Sequence, residues 1–319
     1  MHLHGVGATV PRALFAKWAE QYSLIEPAVT LTYAAEGSGA GVRGAEEGSA
    51  DFGVSDSPLS DRDLASHQDV RHVPLAVEAI AIVYTLQAIP SSVRLQLTED
   101  LLADVLLGRV TSWDDAAIAA VNPGVKLPHT PLRVVYRGDE SGASSLLSEW
   151  LAQTSHRWSL PSTRSLSLPV GAPVQKDDGM VARLRATDGS LGYVSAVTAI
   201  SEHLATFAVR NPAGRFVAPS LEGMRAAAAT ARLTPDLRAH ATAASGELAY
   251  PLCGFTFALL PVDGANRLQR RAVARFLWWA THDGQRFAPQ LGLGALPGEL
   301  AVRDEDMLRS LRGTGEPAL

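Results

Sequence analysis

Val134-Val135-Tyr136-Arg137-Gly138-Asp139-Glu140-Ser141-Gly142-Ala143-Ser144-Ser145 decides the fold class. An apolar β-branched run ends in an arginine, crosses a turn of glycine and small hydroxyls, and opens the helical spacing Leu146, Leu147, Trp150, Leu151. The stretch reads as strand, loop and helix start. The first amides of a helix lack an intrahelical acceptor and carry about half a positive charge, so Ser141, Gly142, Ala143 and Ser144 offer donors to an anion. Arg137 adds a planar fork that meets two oxygens of a tetrahedral oxyanion at once.

Two other stretches repeat the design. Gly5-Val6-Gly7-Ala8-Thr9-Val10-Pro11 follows a short apolar segment and precedes Leu14, Phe15, Trp18 and Tyr22, so Thr9 and Val10 face outward from a helix opened by Pro11. Leu31 to Ala35 reads as a strand, Glu36-Gly37-Ser38-Gly39-Ala40-Gly41 as the loop after it, and Val42 to Glu47 as a helix. Ala50 to Ser55 is a further apolar strand that ends on the carboxylate of Asp56. A carboxylate repels a bare anion but accepts a hydrogen bond from a protonated one, so the set favours an oxyanion that keeps a proton near neutral pH. One such loop is equally well explained by an Arg137–Asp139 surface pair and a plain Ser141 cap; three of the same design are not.

The strings GVGATVP, YAAEGSGAGVRG, ADFGVSDSPLS, LADVLLGRVTSWDDAAIAAVNPGVKLP, VVYRGDESGAS, KDDGMVARL and GSLGYV occur in this order. Together, from about Gly5 to the Leu296-Pro297 region, they resemble the PstS family, the substrate-binding proteins of the bacterial phosphate ABC transporter. The resemblance implies that phosphate is held by backbone and hydroxyl donors at Thr9, Val10, Ser38, Ser141, Gly142 and Ala143, by Arg137 and by the Asp56 carboxylate, with Asp139 steadying Arg137. This chain departs from the family pattern at Ala143, where the family usually has Thr and a hydroxyl donor is lost. Val10 stands for a usual Phe but donates through its backbone, and Glu36 and Glu140 add negative charge beside the loops.

The implied fold is α/β and two-lobed, periplasmic-binding-protein-like, each lobe a mixed sheet flanked by helices, with two crossover strands as the hinge. Residues 1–82 and 253–319 form the first lobe and 83–252 the second. The implied function is capture of inorganic phosphate between the lobes and its presentation to a membrane permease, by a monomer that is not an enzyme and uses neither cofactor nor metal. The alternatives left open are an enzyme acting on a phosphorylated metabolite and a ligand-sensing module of a larger protein.

Composition bounds these readings. The 319 residues suffice for two domains, and 46% hydrophobic with 19% charged residues can fill real cores. A net charge of -5 argues against a nucleic-acid surface. No stretch approaches the roughly 20 apolar residues of a membrane span. The one cysteine, Cys253, excludes an internal disulfide and reads as a buried thiol in the strand Tyr250 to Leu260. Met1-His2-Leu3-His4 carries no basic segment followed by an apolar one; the resemblance implies a periplasmic or otherwise extracytoplasmic protein whose export signal is absent from this chain, with a cytoplasmic protein as the alternative left open.

Elsewhere Thr98 caps a helix that stops at Gly108, and Asp114-Asp115 caps the next rather than binding metal. Ser155 to Pro173 reads as a surface excursion, Asp177 and Asp178 as caps of the Met180 to Arg185 helix, and Leu191 to Val194 as a strand. The alanine-rich run Ala226 to Ala244 reads as helix broken at Pro235, and Arg271 to Ala280 as an amphipathic helix. Gly39-Ala40-Gly41-Val42-Arg43-Gly44 matches a dinucleotide fingerprint, but the acid at the end of the next strand, Asp56, comes too early for a ribose contact. The sequence around Ser141 is not the GxSxG elbow of a hydrolase.

Overall fold

Strands and helices alternate because apolar β-branched runs are separated by segments with helical spacing, and that order builds parallel sheets. The computed structural model describes residues 1–66, 70–90, 92–261, 267–310, 312–313 and 316–317. The chain opens with β1 (His2–Gly7), α1 (Arg12–Ile25), β2 (Thr30–Ala35), α2 (Ser38–Glu46), β3 (Phe52–Ser55), α3 (Asp61–Ser66) and the long β4 (Val70–Thr85). There follow β5 (Gln96–Leu97), α4 (Glu99–Leu106), α5 (Ala116–Val121), β6 (Arg133–Arg137), α6 (Gly142–Thr154), β7 (Ala172–Val174), α7 (Lys176–Ala186), β8 (Ser190–Ser195) and α8 (Ala196–Ser201). The short β9 (Ala205–Thr206), β10 (Ala208–Arg210) and β11 (Phe216–Val217) precede α9 (Leu221–Ala228) and a hairpin of β12 (Arg232–Leu233) and β13 (Ala239–His240). Then come β14 (Cys253–Pro261), α10 (Arg267–Thr281) and α11 (Gly298–Ser310).

Two units emerge. Unit 1 comprises Met1–Glu78, Ala231–His240 and Gly254–Leu319; unit 2 comprises Ala79–Thr230 and Ala241–Cys253. The chain changes unit inside β4, at both ends of the hairpin, and at the start of β14. Residues 231–240, which the sequence reading kept within 83–252, fold with unit 1.

In unit 1 the strand order is β2-β1-β3-β14, with β1 parallel to both β2 and β3 and β14 antiparallel to β3. The carboxyl ends of β1, β2 and β3 therefore share one edge, where ligands of open α/β sheets bind. Beneath it α1 buries Leu14, Phe15, Trp18 and Tyr22. Phe15 stacks on Tyr33 at 4.1 Å and meets Phe52 at 5.8 Å and Phe276 of α10 at 6.3 Å.

The structure corrects the reading of α2, which begins at Ser38, four residues before the expected start at Val42. Glycines are poor helix formers, but here they permit contact. A Cβ on Gly41 would stand 2.0 Å from the Val54 carbonyl oxygen, and one on Gly53 2.0 Å from the Gly41 oxygen, so α2 and β3 meet backbone to backbone. Ser38 is thus the first residue of a helix rather than a loop residue.

In unit 2 the order is β4-β8-β6-β7, with β6 parallel to β7 and β8 and β8 antiparallel to the last residues of β4. Val83, Val135 and Val194 form a layer against Met180 and Leu184 of α7. A second cluster joins Trp113, Tyr84 and Phe207, with Trp113 Nε1 donating to the Gly189 carbonyl at 2.9 Å. Thr98 caps α4 through Leu101 N–H at 3.3 Å, and Asp115 caps α5 through Ala117 N–H at 2.8 Å. Cys253 is a buried thiol.

The broken helix expected over Ala226 to Ala244 is a second correction. Only α9, ending at Ala228, is helical, and the chain then forms the β12–β13 hairpin. Pro235 cannot donate within a helix, and Thr234 N–H closes the turn on the Arg238 carbonyl at 3.0 Å. Specific turn contacts outweigh alanine propensity, which is a weak prior.

Candidate functional site

Each unit assembles its own part of the predicted set. At the shared edge of unit 1 the loops are tied by backbone bonds: Ala8 N–H to the Val54 carbonyl at 2.9 Å, and Glu36 and Gly37 N–H to the Gly7 carbonyl at 2.9 and 2.8 Å. Tyr33 donates its hydroxyl to the Ala8 carbonyl, and burial, with the Asp56 charge adding, pushes that phenol well above its usual value. Asp56 donates its own N–H to Ser38 Oγ at 3.1 Å, while its Oδ1 accepts Thr256 Oγ1 at 2.9 Å. Thr9, Val10, Ser38 and Asp56 are thereby gathered at one edge.

The N–H groups of Thr9, Val10 and Ser38 have no acceptor among the described residues. Ser38 accepts from Asp56, which leaves its hydroxyl proton for a ligand. Neutral donors thus converge beside one carboxylate.

In unit 2, β6 ends on Arg137, whose side chain is 4% exposed. Its Nε and Nη2 donate to both oxygens of Asp139 at 2.7 and 2.6 Å, and its Nη1 donates to Asp177 Oδ1 at 2.8 Å. Of the five N–H groups of a guanidinium, three are engaged; one on each Nη remains without a protein acceptor among the described residues. Burial works against the charge of Arg137, but the Asp139 hydrogen bond and the two carboxylates outweigh it and hold the guanidinium above its usual range. Burial likewise opposes the Asp139 carboxylate, yet the Arg137 bonds leave it below the usual range.

Arg137 is also fixed through its backbone. Its N–H donates to Tyr193 Oη at 3.1 Å, and that hydroxyl lies 2.8 Å from Ser144 Oγ, which joins the end of β6 to the first turn of α6. Burial pushes the Tyr193 phenol up to about 12, so it stays a neutral hydrogen-bonding group.

Ser141 corrects one expectation. Its amide donates to the Arg164 carbonyl at 3.0 Å, so Ser141 offers only its hydroxyl, which caps nothing in α6. The amides of Gly142, Ala143 and Ser144 take no acceptor among the described residues.

Sequence reasoning missed three partners. Asp177, read as a cap of its own helix, instead clamps Arg137 while its Oδ2 accepts Ser195 N–H at 3.0 Å and Thr198 Oγ1 at 2.9 Å. Its place in a Lys-Asp-Asp-Gly helix start was visible; its distant partner was not. Thr256 and Tyr193 carry no local signal, because strand pairing alone brings them to Asp56 and Arg137. Among the described residues no group of three His, Cys, Asp or Glu side chains could hold a metal ion. No helix of the described residues is long and apolar enough to cross a membrane.

Comparison with known proteins decides the family. The profile of the PBP superfamily domain matches residues 1–283. A phosphate-binding protein PstS from Xylella fastidiosa is 32% identical over 307 residues, covering 95% of this chain and 84% of its own length. The chain belongs to the PstS family. Its members are binding proteins rather than enzymes. At the level of fold, a phosphate-binding protein from Stenotrophomonas maltophilia matches with a TM-score of 0.73 at 19% identity, over 96% of this chain and 93% of its own. A phosphate ABC transporter substrate-binding protein from Clostridium perfringens, solved with bound phosphate, matches at 0.68 and 16%, over 93% and 100%. The PstS family thus accounts for the α/β architecture.

Proposed function

We propose that this chain captures inorganic phosphate, as hydrogen phosphate, and delivers it to the membrane permease of an ABC transporter. The work is done outside the cytoplasm and by a monomer. Thr9, Val10 and Ser38 donate from unit 1; Arg137, Ser141, Gly142 and Ala143 donate from unit 2. Asp139 and Asp177 hold Arg137 in place. The supporting observation is Arg137: a buried guanidinium with two unspent N–H groups, at the end of the strand that leads into three open helix amides, is a donor site for an oxyanion.

Asp56 is the selector. It accepts the proton of hydrogen phosphate, whereas sulfate brings only acceptors and would set charge against charge. A site built to hydrogen-bond a ligand proton rejects analogues that lack it because its buried polar group is left unpaired. Calorimetry with both anions tests this: Asp56→Asn is expected to narrow the phosphate-over-sulfate preference by at least about tenfold, since one bond to a charged group is worth roughly 1.5–3 kcal/mol. An unchanged preference would overturn the assignment. Loss of phosphate binding in wild type would overturn the function.

A further inference from the structure

The turn that follows Asp56 is gripped at one residue from two sides. Leu59, 1% exposed, donates its N–H to Nε2 of His72 at 3.0 Å, and its carbonyl accepts Nη1 of Arg238 at 3.3 Å. Both backbone polar groups of a buried turn residue are thus satisfied by side chains from distant segments, β4 and the β12–β13 hairpin. Arg238 is itself fixed, giving Nη1 to Asp61 Oδ1 at 2.6 Å and Nε to Asp236 Oδ2 at 2.8 Å.

His72 is 1% exposed and stands edge-on to Phe257, centroids 5.8 Å apart at 90°. Phe257 follows Thr256, the residue that donates to Asp56, and pairs in register with Ser55, the residue that precedes it. Because Nε2 accepts from Leu59, the ring proton sits on Nδ1. Burial depresses the imidazole to about 4, with Asp236 opposing and Arg238 and Arg71 reinforcing, so the neutral acceptor persists at neutral pH.

We propose that His72 and Arg238 are positioning residues for Asp56, acting through the two backbone bonds of Leu59. The proposal rests on the reading of Asp56 as the group that recognises the ligand's proton. Asp56 is held at its amide by Ser38 and at its carboxylate by Thr256, and the segment after it is anchored at Leu59. A carboxylate that must meet one proton needs placement within about 0.5 Å, and that tolerance is set by the residues behind it. This gives the β12–β13 hairpin a role: it carries Arg238 to unit 1.

The test measures dissociation constants for phosphate and sulfate, together with melting temperature, in wild type and in His72→Phe, His72→Gln and Arg238→Met. His72→Phe and Arg238→Met are expected to reduce the phosphate-over-sulfate ratio by up to about tenfold, the effect of one lost hydrogen bond. His72→Gln, whose amide oxygen can accept the Leu59 N–H, is expected to restore most of the ratio. In an Asp56→Asn background neither substitution should change the ratio further, because the group they position is gone. A lowered melting temperature with an unchanged ratio in either variant would overturn the proposal while leaving phosphate binding intact. Arg238→Met, at a half-buried side chain, keeps the test open should His72→Phe not fold. A wild type that binds no phosphate would sink this proposal and the function with it.

Discussion

Arg137 shows how much a single side chain can decide. Its planar fork divides its donors between two carboxylates and an open edge, and no ammonium could reproduce that division. Removing it should abolish tight binding: in Arg137→Ala the two open N–H groups are lost and Asp139 and Asp177 are left as uncompensated charges beside an anion. Ala143 is the opposite case. Its amide, in the first turn of α6, takes no acceptor among the described residues, but the side chain lacks the hydroxyl that the family usually places there. Ala143→Thr is expected to tighten phosphate binding by about tenfold, on the scale of one hydrogen bond to a charged ligand. Calorimetry on the two variants checks both statements, and a flat affinity in Ala143→Thr would show that the missing hydroxyl has no consequence. The one loop that joins these residues, between β6 and α6, is local in sequence, which is why its chemistry is legible there.

Elements were legible where the pattern is strong and misread where packing overrides propensity. Thr98 and Asp115 cap their helices as their residue types require, and the strands end where the apolar runs do. The start of α2 was placed late because Gly39 and Gly41 are poor helix formers, yet only glycine lets α2 lie on β3. Gly41→Ala should therefore destabilise the protein rather than help it, although alanine is the better helix former by about 1 kcal/mol. Its Cβ would meet the Val54 carbonyl oxygen at 2.0 Å, and its three nearest atoms all belong to the Val54 backbone, with no flexible group to yield. The expected result is a melting temperature lowered by several degrees or a chain that does not fold. A neutral or raised melting temperature would mean that the α2–β3 contact is looser than described. The alanine-rich run was misread for the same physical reason: turn bonds around Pro235 and the Arg238 contacts outweigh the preference of alanine for helix.

At the scale of the whole molecule, donors come from both units, and the chain changes unit within β4 and at the start of β14. If the ligand engages both sets, phosphate should slow amide hydrogen exchange in two separate places at once. Segments 9–10 and 38–40 in unit 1 and 142–144 in unit 2 hold the open amides, and all should gain protection on adding phosphate. Protection confined to one unit would show that the open amides of the other do not bind the ligand. Sulfate at the same concentration should produce little change.

Sequence alone determined the chemistry of the loops. Which residue types stand where a strand gives way to a helix, and which strand ends on an arginine and which on a carboxylate, are consequences of local residue order, whereas the amide of Ser141 was taken by the distant Arg164 carbonyl. Tertiary structure alone decided which groups support them. Thr256 reaches Asp56 across 200 residues of chain, Asp177 reaches Arg137 across 40, and Arg238 reaches Leu59 across 179. No local pattern encodes such pairs, because they exist only once strand pairing and core burial have brought the segments together and met the entropy of closing those long loops.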